Sequence, residues 1–161
     1  MIDWASAVAY AKDLSERTGQ PWRLPWELEW EKSARGVDGR IYPWGNFFDP
    51  TWTCTQAFFE TNPTMPEVDS FPIDESPFGV RGMAGNVCDW CLDVFSPSGS
   101  TSISQTKQSL DISAAQQGPR TFRGGSWLHT PRYTRSAVRT RYSASGRGGG
   151  LGFRLARSYP K

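Results

Sequence analysis

Three cysteines and one histidine are the side chains of this chain with the most latent chemistry. Cys88 and Cys91 stand in a Cys-x-x-Cys spacing, while Cys54 and His129 lie well apart from them. Such a pair is a redox centre only in a thioredoxin-like setting, and it holds zinc only with further ligands. Neither Cys54 nor His129 has zinc-motif spacing, so the expected role of Cys88 is a small core residue, with Cys91 packed or half-exposed. Three cysteines also make no paired disulfide framework. The other chemical feature is charge. The last acidic residue is Asp111, whereas ten of the eighteen Lys and Arg follow position 119, so a net charge of +2 hides an acidic first part and a basic end. With Tyr133 and Tyr142, that end has the means to follow a phosphate backbone. The interleaved Arg135, Arg139 and Arg154 suit anchoring of carbonyls better, which makes nucleic acid an unfavoured partner.

The elements that must position these groups are short. Trp4, Ala7, Val8, Ala11 and Leu14 recur at three- and four-residue spacing, which predicts a helix over 3–18 capped by Asp3 and stopped by Gly19. A second helix is expected from Trp26 to Arg35, with Pro25 at its start, Trp26, Trp30 and Ala34 as its buried stripe, and Gly36 as its stop. Residues 47–80 are rich in aromatics and Pro without a clear period and read as ordered loop. Gly82 to Trp90 reads as a compact apolar segment, and 96–119, rich in Ser, Thr and Gln, as a surface loop. Strands are expected at Thr121–Leu128, Arg135–Tyr142 and Leu151–Arg157. A chain of 161 residues with eight Trp, nine Phe, sixteen Gly and twelve Pro fits one loop-rich domain with large buried rings. It has no apolar run near the length of a membrane span and no signal-peptide pattern at its start. Virion, cell surface and cytoplasm all stay open as locations.

Composition singles out one segment. Residues 128–150 contain no Lys, Glu, Gln, Met or Trp, types that fill 28 of the other 138 positions. Phe122-Arg123-Gly124-Gly125-Ser126-Trp127 precedes the segment and Leu151-Gly152-Phe153-Arg154-Leu155 follows it.

Six blocks in order name a family. They are Arg23-Leu24-Pro25 with Glu29-Trp30-Glu31 and Ala34-Arg35-Gly36; Tyr42-Pro43-Trp44-Gly45-Asn46; Gly85-Asn86-Val87; Arg123-Gly124-Gly125-Ser126-Trp127; Arg135-Ser136-Ala137 with Arg139; and Gly152-Phe153-Arg154. Together they resemble the formylglycine-generating-enzyme (sulfatase-modifying factor) family. The resemblance implies an α+β fold: an irregular, loop-rich C-type-lectin-like domain over 1–161, with two short N-terminal helices and a small antiparallel sheet. The start resembles an internal point of the family pattern. Either the chain is truncated or it closes its core another way, in which case an exposed sheet edge would favour a partner chain or oligomer.

The same resemblance bears on chemistry. Oxidase members need a pair of Cys shortly after the Gly-Gly-Ser-aromatic block, where thiolate binds copper. Leu128 to Arg139 contains none, and the single His129 cannot supply the iron-binding His set of the sulfoxide synthases. No catalytic residue and no required cofactor are therefore expected. A structural calcium site is implied at the carbonyls of Gly82, Gly85 and Val87 with the side chain of Asp89. The alternative is that Asn86 and Asp89 only satisfy loop backbone groups.

Within the family the C-terminal part is most like the variable proteins of diversity-generating retroelements. Their adenine-specific errors turn AAC codons into codons ending in C, which cannot encode Lys, Glu, Gln, Met or Trp. The resemblance makes 121–157 a variable ligand-binding region. Its diversified positions would be Leu128, His129, Thr130, Arg132, Tyr133, Val138, Thr140, Arg141, Tyr142, Ser143, Gly146, Gly148, Gly149 and Gly150. Pro131, Arg135, Ser136, Ala137 and Arg139 would be scaffold, with Trp127, Ala137 and Phe153 as anchors. Tyr142 and Val138 have a second reading as inward-facing core residues. The function implied is non-enzymatic binding of a protein or glycan. The competing reading is a degenerate domain that regulates or scaffolds within a larger signalling protein.

Overall fold

The computed structural model describes residues 1–59, 64–99 and 118–158. Helix α1 (Trp4–Thr18) forms where the apolar spacing requires it. Asp3 caps it, accepting from the Ser6 N–H at 2.8 Å, and Gly19 ends it at φ 65° with its N–H on the Ser15 carbonyl. Trp4, Ala7, Val8 and Ala11 are its buried face. Helix α2 (Glu27–Arg35) begins one residue later than expected. Pro25 lies outside it, its carbonyl accepting from Leu92 N–H, and the Glu29 carboxylate turns back onto the Trp26 N–H at 2.9 Å. Trp26, Trp30 and Ala34 are buried as expected.

The axis of the fold is a strand that the sequence pattern did not reveal. After β1 (Trp22–Arg23), strand β2 (Cys88–Val94) runs through the centre of a four-stranded sheet. Its neighbours are β3 (Arg120–Arg123), antiparallel, and β5 (Leu151–Gly152), parallel. Strand β4 (Arg139–Tyr142) pairs antiparallel with β3 and forms one edge. The sheet is therefore mixed, not purely antiparallel. A separate two-stranded sheet pairs β1 with β6 (Ala156–Arg157).

Both faces of β2 are covered. Cys88, Trp90 and Leu92 pack with Trp4, Val8, Leu24 and Phe122, whereas Cys91 packs with Trp30, Ala34 and Met83 from the α2 side. The Trp4 indole N–H crosses from α1 to the Cys91 carbonyl at 2.8 Å. The covered faces of β2 carry the acidic Asp89 as well as apolar residues, so burial does not follow polarity along the strand.

The three expected strands are all shorter. The first stops at Gly124, whose φ is 80°, because the chain turns there to lie flush on residues 83–84. A Cβ on Gly124 would come within 2.9 Å of the Met83 carbonyl and 3.1 Å of the Trp30 ring. The second loses its first half, 135–138, to a turn closed by the Val138 N–H on the Arg135 carbonyl at 2.9 Å. The third divides between the two sheets as β5 and β6. Of the expected loop at 96–119, residues 100–117 lie outside those described.

Candidate ligand-binding surface

Between β3 and β5 the chain leaves the sheet, returns as β4 and leaves again. Each excursion is tied down by its backbone. Trp127 N–H donates to the Asn86 carbonyl at 2.9 Å, Gln56 N–H to His129 at 3.0 Å, Ser136 N–H to Ile41 at 2.8 Å and Cys88 N–H to Gly150 at 2.8 Å. The Trp127 indole reaches the Gly149 carbonyl at 3.1 Å, joining the two ends of the segment. Beneath them lies Arg123, with no exposed side-chain surface. It donates to the Ser136 carbonyl at 3.0 Å and pairs with Glu27 and Glu31. Glu27, itself buried, also pairs with Arg139 of β4.

These ties fix which residues are free. Thr134, Ser136 and Ala144 are buried, while Leu128, Thr130, Arg132, Arg141, Tyr142 and Ser143 are exposed and His129, Tyr133, Val138 and Thr140 half-buried. Tyr142 is 47% exposed and is not a core residue. Two expected scaffold residues are corrected. Ala137 and Arg135 are both exposed, and Arg135 Nε bonds only the Arg132 carbonyl among described residues. Ser136, expected as scaffold, is buried, and Thr134, which the sequence reading did not single out, is buried beside it; a polar residue of this kind escapes a hydrophobicity argument.

The fourteen expected positions do not form one face. Leu128, His129, Tyr142, Gly148, Gly149 and Gly150 converge on a surface recess of about 210 Å³, completed by Phe122, Ser126 and Leu151. Arg141 projects elsewhere, since β4 alternates: its guanidinium and that of Arg139 lie 5.2 and 5.1 Å from the Phe95 ring. Ser143 lines a different hollow of about 620 Å³ with Asp3, Gly118 and Pro119. His129 stacks on Tyr133 at 4.8 Å, and the Arg132 guanidinium lies 5.3 Å from the Tyr133 ring. Gly146 and Gly150 are crowded. A Cβ on Gly146 would collide with the Tyr142 ring, and one on Gly150 would come within 2.6 Å of Ser126 Oγ.

The cysteines offer no nucleophile. All three are free and buried. Burial pushes the Cys54 thiol up to about 11 and those of Cys88 and Cys91 up as well. Cys88 and Cys91, three apart on a strand, point to opposite faces and into separate clusters, so they make no redox pair. Cys88 donates to the Gly124 carbonyl at 3.2 Å and lies 3.5 Å from His129 Nδ1. Burial lowers the pKa of His129, which favours its neutral imidazole beside the Cys88 thiol.

Two of the four residues expected to face calcium are engaged otherwise. Asp89 Oδ2 accepts from Arg154 Nε at 2.6 Å and from the Trp30 indole at 2.8 Å, and the same guanidinium reaches the Gly82 carbonyl at 3.1 Å. A fixed cation thus spans two of the four expected ligands, Gly82 and Asp89, and this set with Gly85 and Val87 does not fit calcium as arranged. Among the described residues no cluster of three or more His, Cys, Asp or Glu is placed to hold a metal ion.

The sulfatase-modifying factor enzyme 1-like domain matches residues 1–159. The chain belongs to this family. Its relatives include a formylglycine-generating enzyme of Streptomyces coelicolor, 33% identical over 96% of this chain and 51% of that protein. They also include the inactive C-alpha-formylglycine-generating enzyme 2 of Mus musculus, 30% identical over 98% of this chain and 48% of that one. A third is the serine/threonine-protein kinase pkn1 of Chlamydia caviae, 34% identical over 97% of this chain and 23% of the kinase. The chain spans about half the length of these formylglycine-generating-enzyme relatives, and less of the kinase. Among solved structures, Treponema denticola variable protein 1 shares the fold with a TM-score of 0.76, at 21% identity over 97% of this chain and 69% of that one. The family thus holds active and inactive members, and its fold carries a variable protein. No helix among the described residues of this sulfatase-modifying factor-like domain is long and apolar enough to cross a membrane.

Proposed function

We propose that this chain is a non-enzymatic binding module that displays a diversified surface to a macromolecular target, a protein or glycan, in the manner of the variable proteins of diversity-generating retroelements. One observation carries the reading. Three separate stretches of the compositionally biased segment, 128–129, 142 and 148–150, meet at a single recess, while Thr134, Ser136 and Ala144, interspersed with them along the chain, are buried and held by backbone hydrogen bonds. A surface that must change without unfolding its domain needs that division between displayed and anchoring residues. The lack of any thiol between Leu128 and Arg139, with every cysteine buried elsewhere, supports the absence of oxidase chemistry.

The test is the coding sequence. A near-identical repeat carrying AAC codons beside a reverse transcriptase gene is expected, with codons ending in C at the displayed positions. Its absence sinks the reading, as does copper-dependent oxygen uptake with turnover. The kinase relative favours a second reading, a degenerate family domain serving a larger signalling protein. That reading predicts no such repeat.

A further inference from the structure

We propose that the recess is a socket for one aromatic or branched aliphatic side chain of a protein partner, and that Arg132 receives a carboxylate beside that side chain. The inference deepens the diversified-surface reading and rests on it.

Size comes first. Small-molecule sites run to about 300–1,000 Å³, whereas an apolar cavity of about 150 Å³ already accepts a benzene ring. At about 210 Å³ the recess matches a single side chain. Its chemistry points the same way. Phe122, Leu128, Tyr142 and Leu151 present carbon to it, and the glycines at 148–150 open it to the surface. Two of its polar atoms are already engaged: Ser126 Oγ accepts from the Leu128 N–H at 3.3 Å, and His129 Nδ1 faces the Cys88 thiol. A sugar ring placed there would bury hydroxyls without partners, which is costly, whereas a phenyl or isobutyl group loses nothing. A buried aromatic or aliphatic anchor in a tight pocket is also how protein interfaces concentrate their binding energy.

Charge selects what flanks the anchor. From the recess wall, His129, Tyr133 and Arg132 form a continuous stack that ends in an exposed guanidinium. Arg132 makes no ion pair among the described residues, and the sequence has no Asp or Glu after Asp111 to give it one from this segment. Arg147, by contrast, is paired with Asp3. An exposed guanidinium with a planar fork, held over a ring, is suited to a carboxylate.

The test pans a library of short random peptides on phage against the full chain at low ionic strength. Enriched peptides are expected to carry one Phe, Trp, Tyr or Leu next to Asp or Glu. Gly149→Leu plugs the recess from a position where an added Cβ meets only ordinary contacts, 3.7 Å from the Trp127 ring. It should weaken the enriched peptides about tenfold or more while melting with the parent chain, and Arg132→Ala should weaken them about threefold and flatten their salt dependence. Several results overturn the proposal: no enrichment, enriched peptides indifferent to the plug, or recess-dependent binding of arrayed glycans or of DNA in place of peptides. The repeat beside the gene judges the diversified reading separately, so either idea can fail while the other stands.

Discussion

Arg154 sets its Nε 2.6 Å from Asp89 Oδ2, in a place where the family resemblance implies a calcium ion shared by that carboxylate and the Gly82 carbonyl. A guanidinium delivered by the Gly-Phe-Arg block thus ties β2 to the loop before it and needs no ion to neutralise a carboxylate only 4% exposed. Arg154→Ala should therefore strand a buried charge and cost about 3–5 kcal/mol, whereas Arg154→Lys, which keeps the charge and loses the fork, should cost less. Denaturant titration measures both. Chelator or added calcium should leave the parent melting temperature in place; a rise with calcium would mean that Arg154 yields to the ion.

The Glu27 carboxylate is the second such hub. It is buried in the first turn of α2 and receives Arg123 from β3 and Arg139 from β4. Glu27→Gln should destabilise the chain by about 2–4 kcal/mol, since two guanidiniums lose their shared anion. Because Arg123 also holds the Ser136 carbonyl, hydrogen exchange should quicken at the Ser136 amide before it does in α1.

Asp74 gives a pH signature of uncommon sign. Burial raises its pKa to about 6, against the hydrogen bonds from Thr53 and the Ala84 N–H. The native chain then holds a proton between about pH 4 and 6 that the unfolded chain has released, so stability from this group falls as pH rises through that window. Asp74→Asn keeps an acceptor for both donors without the charge. Its stability relative to the parent should climb by about 1–3 kcal/mol from pH 4 to pH 7, with the difference flat above and below the window. Asp3 has the opposite sign: hydrogen bonds from Ser6, then Arg147, lower its pKa to about 2, so its contribution is lost as pH falls below 4.

Much of this arrangement was legible in the sequence, and the exceptions have physical causes. Trp4, Ala7, Val8 and Ala11 announce α1, and Trp26, Trp30 and Ala34 announce α2, because each helix buries one stripe. Strand β2 was not legible. Its alternate residues Asp89 and Asp93 look solvent-facing, yet Asp89 meets Trp30 and Arg154, and Asp93 accepts from the Glu27 N–H. At the displayed surface the biased composition marked the segment correctly but not its faces. The pleat of β4 sends Arg141 away from the recess, and the turn at 135–138 buries Ser136 while it exposes Ala137.

The sharpest test of display is tolerance. Leu128→Ser, Thr130→Asn and Tyr142→Ser replace exposed side chains that make no anchoring hydrogen bond among the described residues, and each should change stability by no more than about 0.5–1 kcal/mol. Gly125→Ala, in the block that precedes them, should be intolerable, since its Cβ would run into the Ala84 carbonyl, a backbone atom that cannot step aside. Among the glycines of the segment, Gly149→Ala should be neutral and Gly150→Ala costly, by about 1–3 kcal/mol, because the second Cβ presses on the buried Ser126. A fluorescence melt of the six variants would show two groups. If Gly150→Ala melts with the tolerant group, Ser126 rotates out of the way and the freely varied surface is one position larger than the geometry allows.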